Sequence, residues 1–434
     1  MAEKGVAIEN ATRRWLRRTR RTLRRTVGRR SPVLTFLAVL GPGMVAANAG
    51  NDAGGIATYA SAGASYDYKL LWTLFPVAIS LAIVQEMCAR MGAVTGKGLA
   101  DLVREQFGVR WTALVMLALL IANTGVTVSE FVGIAAATEL FGIPRYFSVP
   151  VAALSIWWLV VRGSYQRVER VFLLMSLVFF GYIAAAFLAR PDWHVVARGL
   201  VRPTVHFDGE YLFTIIALVG TTISPYMQVF VQSSVVEKGM TADDCAHVRA
   251  DVWTGTLFAI ITAFFIIVST AATLHPYGIR VETAADAARA LAPLAGRYAE
   301  ILFATGLFGA SMLAAGVLPL ATAYSISEAF GFEKGVSHSF REAPIFLGIF
   351  TFLVAVGGLV AILPGLPLIR VLLVTQVING LLLPVLLVAI LRLASDRELM
   401  KEQANTPAYN ASAWLTVMGV SALSAIFIGR TLLD

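Results

Sequence analysis

One carboxylate, Asp52, stands in the middle of an otherwise apolar stretch, LAVLGPGMVAANAGNDAGGIATYASAG, with Asn51 before it and Gly50, Gly54 and Gly55 around it. A charged group at membrane depth is costly unless it faces a cavity or an ion, and unwound backbone is tolerated there only where it lines such a cavity. The glycines let the backbone unwind and free carbonyl oxygens, so Gly54 is expected to break the helix. Asp52, Asn51 and several carbonyls form an all-oxygen cage, which suits a hard cation such as Mg²⁺, Ca²⁺ or Mn²⁺. Asp52 can also cap the second half-helix, because carboxylates are favoured at helix N-termini. The two roles are compatible.

A second apolar segment, FTIIALVGTTISPYMQVFVQSSVV, is interrupted around Thr221 to Gln228. Pro225 removes a backbone donor and frees a carbonyl one turn earlier, near Thr221. Ser224, Tyr226, Gln228 and Gln232 add neutral polar groups. Broken segments in matching positions of two halves point to the substrate site of a secondary transporter. Gln376 and Asn379 share one helix face in a later apolar segment, where they either join helices by hydrogen bonds or line a path. Glu86 and Arg90, one turn apart, read as an ion pair near the cytoplasmic end.

Enzyme chemistry is not indicated. The five histidines, His194, His206, His247, His275 and His338, fall in or beside expected loops, and none makes an i, i+4 ligand pair. The GxSxG, Walker and GxGxxG patterns are absent, and no second acid or Ser/His partner is evident near Asp52. Energy must come from an ion gradient or from the substrate's own gradient, and no cofactor is expected.

Elements that could position these groups are legible in the composition. The 434 residues are 57% hydrophobic and 14% charged, and the mean hydropathy is +0.73. That is far too apolar for a water-soluble protein. Apolar runs of spanning length occur at roughly 34–64, 70–93, 112–141, 147–162, 169–189, 211–236, 251–274, 298–329, 344–363, 367–392 and 408–430. The expectation is an all-α polytopic membrane protein of eleven transmembrane helices, the first and sixth broken. Spans one to five and six to ten form two repeats of opposite orientation, at about 33–190 and 208–392, within a core of 33–392; residues 393–434 append a loop and the eleventh helix.

The net charge of +8 comes largely from ten arginines within residues 13–30. This arm, residues 1–32, precedes the first span, so it holds the N-terminus in the cytoplasm and lies on anionic lipid rather than nucleic acid. Localisation in the cell (inner or plasma) membrane follows. A cleaved signal is disfavoured, although Ala47-Asn48-Ala49 resembles a cleavage site, because the apolar stretch continues through IATYASAG. Cys88 falls in a span and Cys245 in a loop, so no disulfide framework is indicated. Residues 92–108 carry the spacing Leu99, Leu102, Val103, Phe107 of a short interfacial helix. Residues 190–210 read as a polar connection, and 276–296 as an external loop with a short helix capped by Thr283. The sequence sets no oligomeric state.

The stretches GPGMVAANAGNDAGGIATYASAGA, QEMCARMGAVTGKGLADLVREQFG, SEFVGIAAATELFGIP and GTTISPYMQVFVQSS resemble the divalent-metal transporters of the natural-resistance-associated macrophage protein (NRAMP) family. The resemblance runs from about residue 38 to 390. It implies an amino-acid-transporter-like (LeuT-type) 5+5 inverted repeat, alternating access, and a metal site where the broken helices one and six meet. Family members that carry manganese and iron read D-P-G-N where this chain has Asp52-Ala53-Gly54-Gly55, so Gly55 replaces an amide ligand. They read M-P-H where this chain has Ser224-Pro225-Tyr226, so a thioether and a histidine tied to proton movement are gone. Their D-x-x-E pair becomes Thr127 with Glu130, which leaves Glu130 as the residual acid of the proton path.

These departures resemble the NRAMP-related magnesium transporter branch. The implied substrate ligands are Asp52, Gly55, Thr221 and Ser224, with Asn51, Tyr226, Gln228, Gln376 and Asn379 outside them or acting through water. Loss of a soft ligand suits an alkaline-earth ion, and Mg²⁺ usually keeps several waters. A shift of register in the second break would turn the sulfur of Met227 to the site. The expected function is uptake of Mg²⁺, and also Mn²⁺, without proton coupling. The alternatives are a proton-coupled Mn²⁺ or Fe²⁺ symporter and an organic-solute transporter.

Overall fold

The computed structural model describes residues 41–163, 167, 168, 170, 171, 174, 180–188, 190–281, 297–364 and 368–433. The arginine-rich arm, residues 34–40 of the first expected span, most of the fifth span and the Thr283-capped loop helix lie outside them. The chain from Pro42 onward forms one compact unit. Among the described residues all regular structure is helical.

The first segment is split into α1 (Pro42–Ala49) and α2 (Ala53–Tyr66), followed by a 3-10 turn at Asp67–Thr73. Next come α3 (Leu74–Thr95), α4 (Leu99–Phe107), α5 (Val109–Glu139), α6 (Arg145–Val161), α7 (Phe180–Leu188) and α8 (Trp193–Val201). The second split segment is α9 (Gly209–Thr222) and α10 (Pro225–Glu237). The chain continues through α11 (Cys245–Thr273), α12 (Arg297–Phe330), α13 (Pro344–Ala361), α14 (Leu368–Ser395), a single helical turn at Arg397–Met400, and α15 (Pro407–Leu433). Eight described stretches are long and apolar enough to cross a membrane, and Arg145–Val161 is a shorter apolar helix.

Both breaks are tighter than expected. The first covers only Gly50–Asp52, and Gly54 is not the breaker: Gly54 and Gly55 lie in the first turn of α2. Asp52 explains this, since an N-cap that supplies a side-chain acceptor lets the helix restart at the next residue. The second covers only Ile223 and Ser224, so Gln228 is helical. Pro225 sits at the first position of α10, where its missing N–H costs nothing. Residues 190–210 also hold α8, capped by Asp192, whose carboxylate accepts from His194 N. Cys245 begins α11 rather than lying in a loop.

Packing follows burial. The window at Gly209–Glu237 is 94% buried and that at Pro407–Leu432 only 28%, which puts α9 and α10 at the centre and α15 at the periphery. Large apolar side chains such as Leu117, Ile121, Leu154, Trp158 and Leu415 point outward, as a surface facing hydrocarbon requires. Helix α11 packs along α1, α2 and α3, and its Asp251 accepts from the Gly43 and Met44 N–H groups at 2.7 and 3.3 Å, capping α1 from outside. Helices α9 and α14 meet backbone to backbone: a Cβ on Gly220 would fall 2.0 Å from Gln376 O, and one on Gly380 2.8 Å from Ile216 O.

At one end of the bundle the short amphipathic helix α4 buries Leu99, Ala100, Leu102 and Val103. Glu328 of α12 accepts from Ser233 Oγ at 2.6 Å and pairs with Lys334, which also holds Asp101 at 2.7 Å. The Glu86–Arg90 pair at 3.0 Å belongs to a larger network than the sequence suggested. Arg249 of α11 donates to Glu86 Oε1 at 3.2 Å and Tyr409 of α15 donates to Oε2 at 2.8 Å. Arg90 also donates to Gln403 O and to Asn405 Oδ1.

Candidate functional site

The site is built where the two breaks face each other. Asp52 adopts an extended conformation, and its Oδ1 accepts the Gly55 N–H at 2.5 Å. Its main-chain oxygen accepts from Ile56 N at 2.9 Å, the first regular bond of α2. Glu130 of α5 joins the same helix start, with Oε2 accepting the Ala53 N–H at 3.0 Å. Two carboxylates therefore share the free N–H groups and the positive end of α2. The absence of a second acid near Asp52, expected from sequence, is thus corrected: Glu130, 77 positions from Ala53 in the chain, reaches the same turn.

Neutral groups enclose the pair. Gln376 Nε2 lies 3.4 and 3.5 Å from the two Asp52 oxygens, and its Oε1 accepts from Asn379 Nδ2 at 3.2 Å. The polar pair on α14 therefore lies at the site. Tyr226 Oη is 2.8 Å from Ala49 O and 3.3 Å from Asp52 Oδ2. A phenol carries one proton, so it serves one of these acceptors at a time. Asn51 turns its amide to Ala259 O of α11 at 3.2 Å, away from Asp52.

Oxygens from both breaks converge beside Gly55. A Cβ placed there would lie 2.6 Å from Gly50 O, 2.9 Å from Thr221 Oγ1 and 3.2 Å from Asp52 Oδ1. Thr221 Oγ1 also donates to Gly50 O at 3.3 Å, tying the second break to the first. Ser224 turns back on its own helix, donating to Gly220 O at 2.6 Å and lying 3.1 Å from Thr221 O. Its hydroxyl thereby serves carbonyls at the break, of which Pro225 frees that of Thr221. Asp52, Glu130, Thr221, Ser224, Tyr226 and Gln376 are all fully buried, so the site is closed to solvent on every side.

Met227 was readable only as a neighbour of a lost ligand position, yet its Sδ would be 3.1 Å and its Cε 2.5 Å from a Cβ on Gly50. The thioether thus caps the first break. The Gln228 amide is buried, and neither of its polar atoms has a hydrogen-bond partner. Among the described residues no three His, Cys, Asp or Glu side chains cluster as a metal centre, and the carboxylate and neutral oxygens beside Gly55 are the candidate ligands.

Gly54 gives a direct check on Gln376. A Cβ at Gly54 would fall 2.1 Å from Gln376 Nε2 and push the amide off Asp52. Gly54→Ala is expected to keep or slightly raise the melting temperature, since alanine in a helix is worth about 0.5–1 kcal/mol over glycine. Ion uptake should fall roughly tenfold, the loss of one hydrogen bond to a charged group. Unchanged uptake would show that the Gln376 contact is dispensable.

The family profile described as natural resistance-associated macrophage protein-like matches residues 43–430. The divalent metal cation transporter MntH of Deinococcus radiodurans is 27% identical over 428 residues, covering 95% of this chain and 94% of that protein. The crystal structure of the Eremococcus coleocola manganese transporter, in complex with an aromatic bis-isothiourea substituted compound, superposes with a TM-score of 0.76 at 20% identity, covering 91% of this chain and 87% of that one. MhsT in complex with L-phenylalanine superposes with a TM-score of 0.58 at 15% identity, covering 89% and 97%. The fold is that of the amino-acid-transporter-like carriers. With the profile running from α1 to the last turns of α15 and both breaks lying inside it, the chain belongs to the natural resistance-associated macrophage protein family.

Proposed function

We propose that this protein takes up divalent cations by alternating access, Mg²⁺ foremost and Mn²⁺ as well, without carrying protons. The observation that supports it is the convergence of Asp52 Oδ1, Gly50 O and Thr221 Oγ1 beside Gly55. This is an oxygen site with one carboxylate among its ligands, and glycine at position 55 puts no side chain among the three oxygens. Ser224 supplies no soft ligand. Tyr226, next to Asp52, does not exchange protons readily near neutral pH. The NRAMP-related magnesium transporter branch is the reading that fits these residues. In this reading the cell membrane is the location, the N-terminus is cytoplasmic, and the arginine-rich arm rests on anionic lipid.

Proton-coupled Mn²⁺ or Fe²⁺ symport is the second reading, favoured by the Glu130 contact to Ala53 and by the Met227 sulfur against Gly50. The two differ in driving force. A divalent ion moving down an inside-negative potential gains about 4.6 kcal/mol per 100 mV, so uptake needs no second ion. In proteoliposomes with a lumenal pH dye, an imposed potential should drive Mg²⁺ and Mn²⁺ entry with no acidification. Acidification that scales with metal uptake and vanishes in Glu130→Gln would establish the symporter.

A further inference from the structure

The Tyr226 phenol stands between the two halves of the first split segment. It comes from the first turn of α10 and is fully buried. Its Oη lies 2.8 Å from Ala49 O, at the end of α1, and 3.3 Å from Asp52 Oδ2, at the start of α2. A carbonyl and an ionised carboxylate both only accept, and the phenol, which keeps its proton near neutral pH, has a single hydrogen to give. Ala49 O is a helix-end carbonyl, which needs a donor from outside its own helix. Asp52 Oδ1 holds the Gly55 N–H at 2.5 Å, whereas Oδ2 faces Tyr226 and, at 3.5 Å, Gln376 Nε2. Changing acceptor turns one hydrogen about the Cζ–Oη bond, with both oxygens already in reach.

Which acceptor wins depends on the charge at Asp52. A carrier that works by alternating access crosses the membrane loaded and returns unloaded. With the site closed to solvent, as it is in this structure, an unloaded Asp52 has only the protein's own donors, and an unpaired charge is among the costliest groups to bury. A hydrogen bond to a charged acceptor is roughly twice as strong as one to a neutral carbonyl, so the phenol hydrogen then belongs to Oδ2. A cation bound at Asp52 cancels that advantage and repels the hydrogen, which goes back to Ala49 O. The unloaded closed form thus ties α10 to α2, and the loaded form ties α10 to α1.

We propose that Tyr226 is a positioning residue of the unloaded carrier: its hydroxyl stands in for the cation at Asp52 while the empty site is closed, and returns to Ala49 O when the cation binds. This rests on the transport function proposed above. It separates Tyr226 from the ion ligands, because its hydroxyl serves the step in which no ion is carried.

Tyr226→Phe keeps the ring and removes the hydroxyl. Two tracer Mn²⁺ rates are compared in proteoliposomes: net uptake into empty vesicles, which needs the unloaded return, and exchange against Mn²⁺ preloaded in the lumen, which does not. Net uptake should fall further than exchange, so that the ratio of exchange to net uptake rises roughly tenfold over wild type, the loss of one charge-assisted hydrogen bond. Calorimetric titration of Mg²⁺ and Mn²⁺ in detergent should show no rise in the dissociation constant. An unchanged ratio would overturn the proposal. So would a raised dissociation constant with both rates lowered alike, which would make the phenol an ion ligand. If the variant is not monodisperse, infrared difference spectra of wild-type protein carrying isotope-labelled tyrosine take its place: added Mg²⁺ should shift a phenol C–O band, and no shift overturns the proposal. A wild-type protein that neither binds nor moves a divalent cation would instead sink the transport function, whereas Asp52-dependent uptake with an unchanged ratio removes the role of Tyr226 alone.

Discussion

Asp52→Ala will abolish divalent-cation uptake in liposomes, and Asp52→Asn will not restore it. The pair separates the two roles of this side chain. As the N-cap of α2 its Oδ1 holds the Gly55 N–H, and losing such a cap costs about 1 kcal/mol. Asparagine caps as well as aspartate, so Asp52→Asn should recover that stability while removing the charge. The uptake loss should be on the order of a hundredfold or more in both variants, equivalent to about 3 kcal/mol of lost ion affinity. Melting temperature and radioisotope uptake, read on the same preparations, decide the matter. Uptake recovered in Asp52→Asn would reduce Asp52 to a capping residue and remove it from the ion site.

Glu86→Gln is expected to cost the fold more than any change at a surface ion pair. Glu86 and Arg90 are 1% and 5% exposed, and the Glu86 carboxylate joins α3 to α11 through Arg249 and to α15 through Tyr409. Removing one partner of a buried pair leaves the other charge without compensation, at roughly 3–5 kcal/mol. The exposed pair Lys97–Glu105, at 2.6 Å with side chains 45% and 51% exposed, sets the contrast. Lys97→Ala should cost less than about 1 kcal/mol. Detergent-solubilised melting curves should therefore show a fall of many degrees for Glu86→Gln and almost none for Lys97→Ala. Equal melting temperatures would mean that Arg90 is held by Gln403 and Asn405 alone.

Asp52, Thr221 and Pro225 were legible in the sequence because a carboxylate and a proline inside apolar runs have few physical explanations. The breaks came out too long for a related reason. Glycine loosens a helix but does not oblige it to stop, and a cap at Asp52 was enough to restart it at Ala53. Glu130 and Gln376 reach Asp52 from helices far away in the chain, and nothing in their local spacing encodes that meeting. The same holds for Arg249 and Tyr409 at Glu86, whereas Arg90, one turn away, was readable from the helical period. Ser224 was expected to face the ion, but a short hydroxyl beside a proline finds its own helix carbonyl first.

The flush contact of Gly220 and Gly380 bears on which parts can swing. Where the two glycines meet, backbone lies on backbone and there are no rotamers to exchange, so a tilt of α9 at that point either carries α14 along or opens a gap between them. Helix α14 is in effect a splint on α9, and Gln376 and Asn379 travel with Thr221 as one rigid wall. The pliant joint is then the two-residue link at Ile223 and Ser224, with α10 as the free arm. The 3.4 Å reach of Gln376 to Asp52 is a side-chain contact that joins this wall to the start of α2, so it spans the boundary across which any separation of the two would occur.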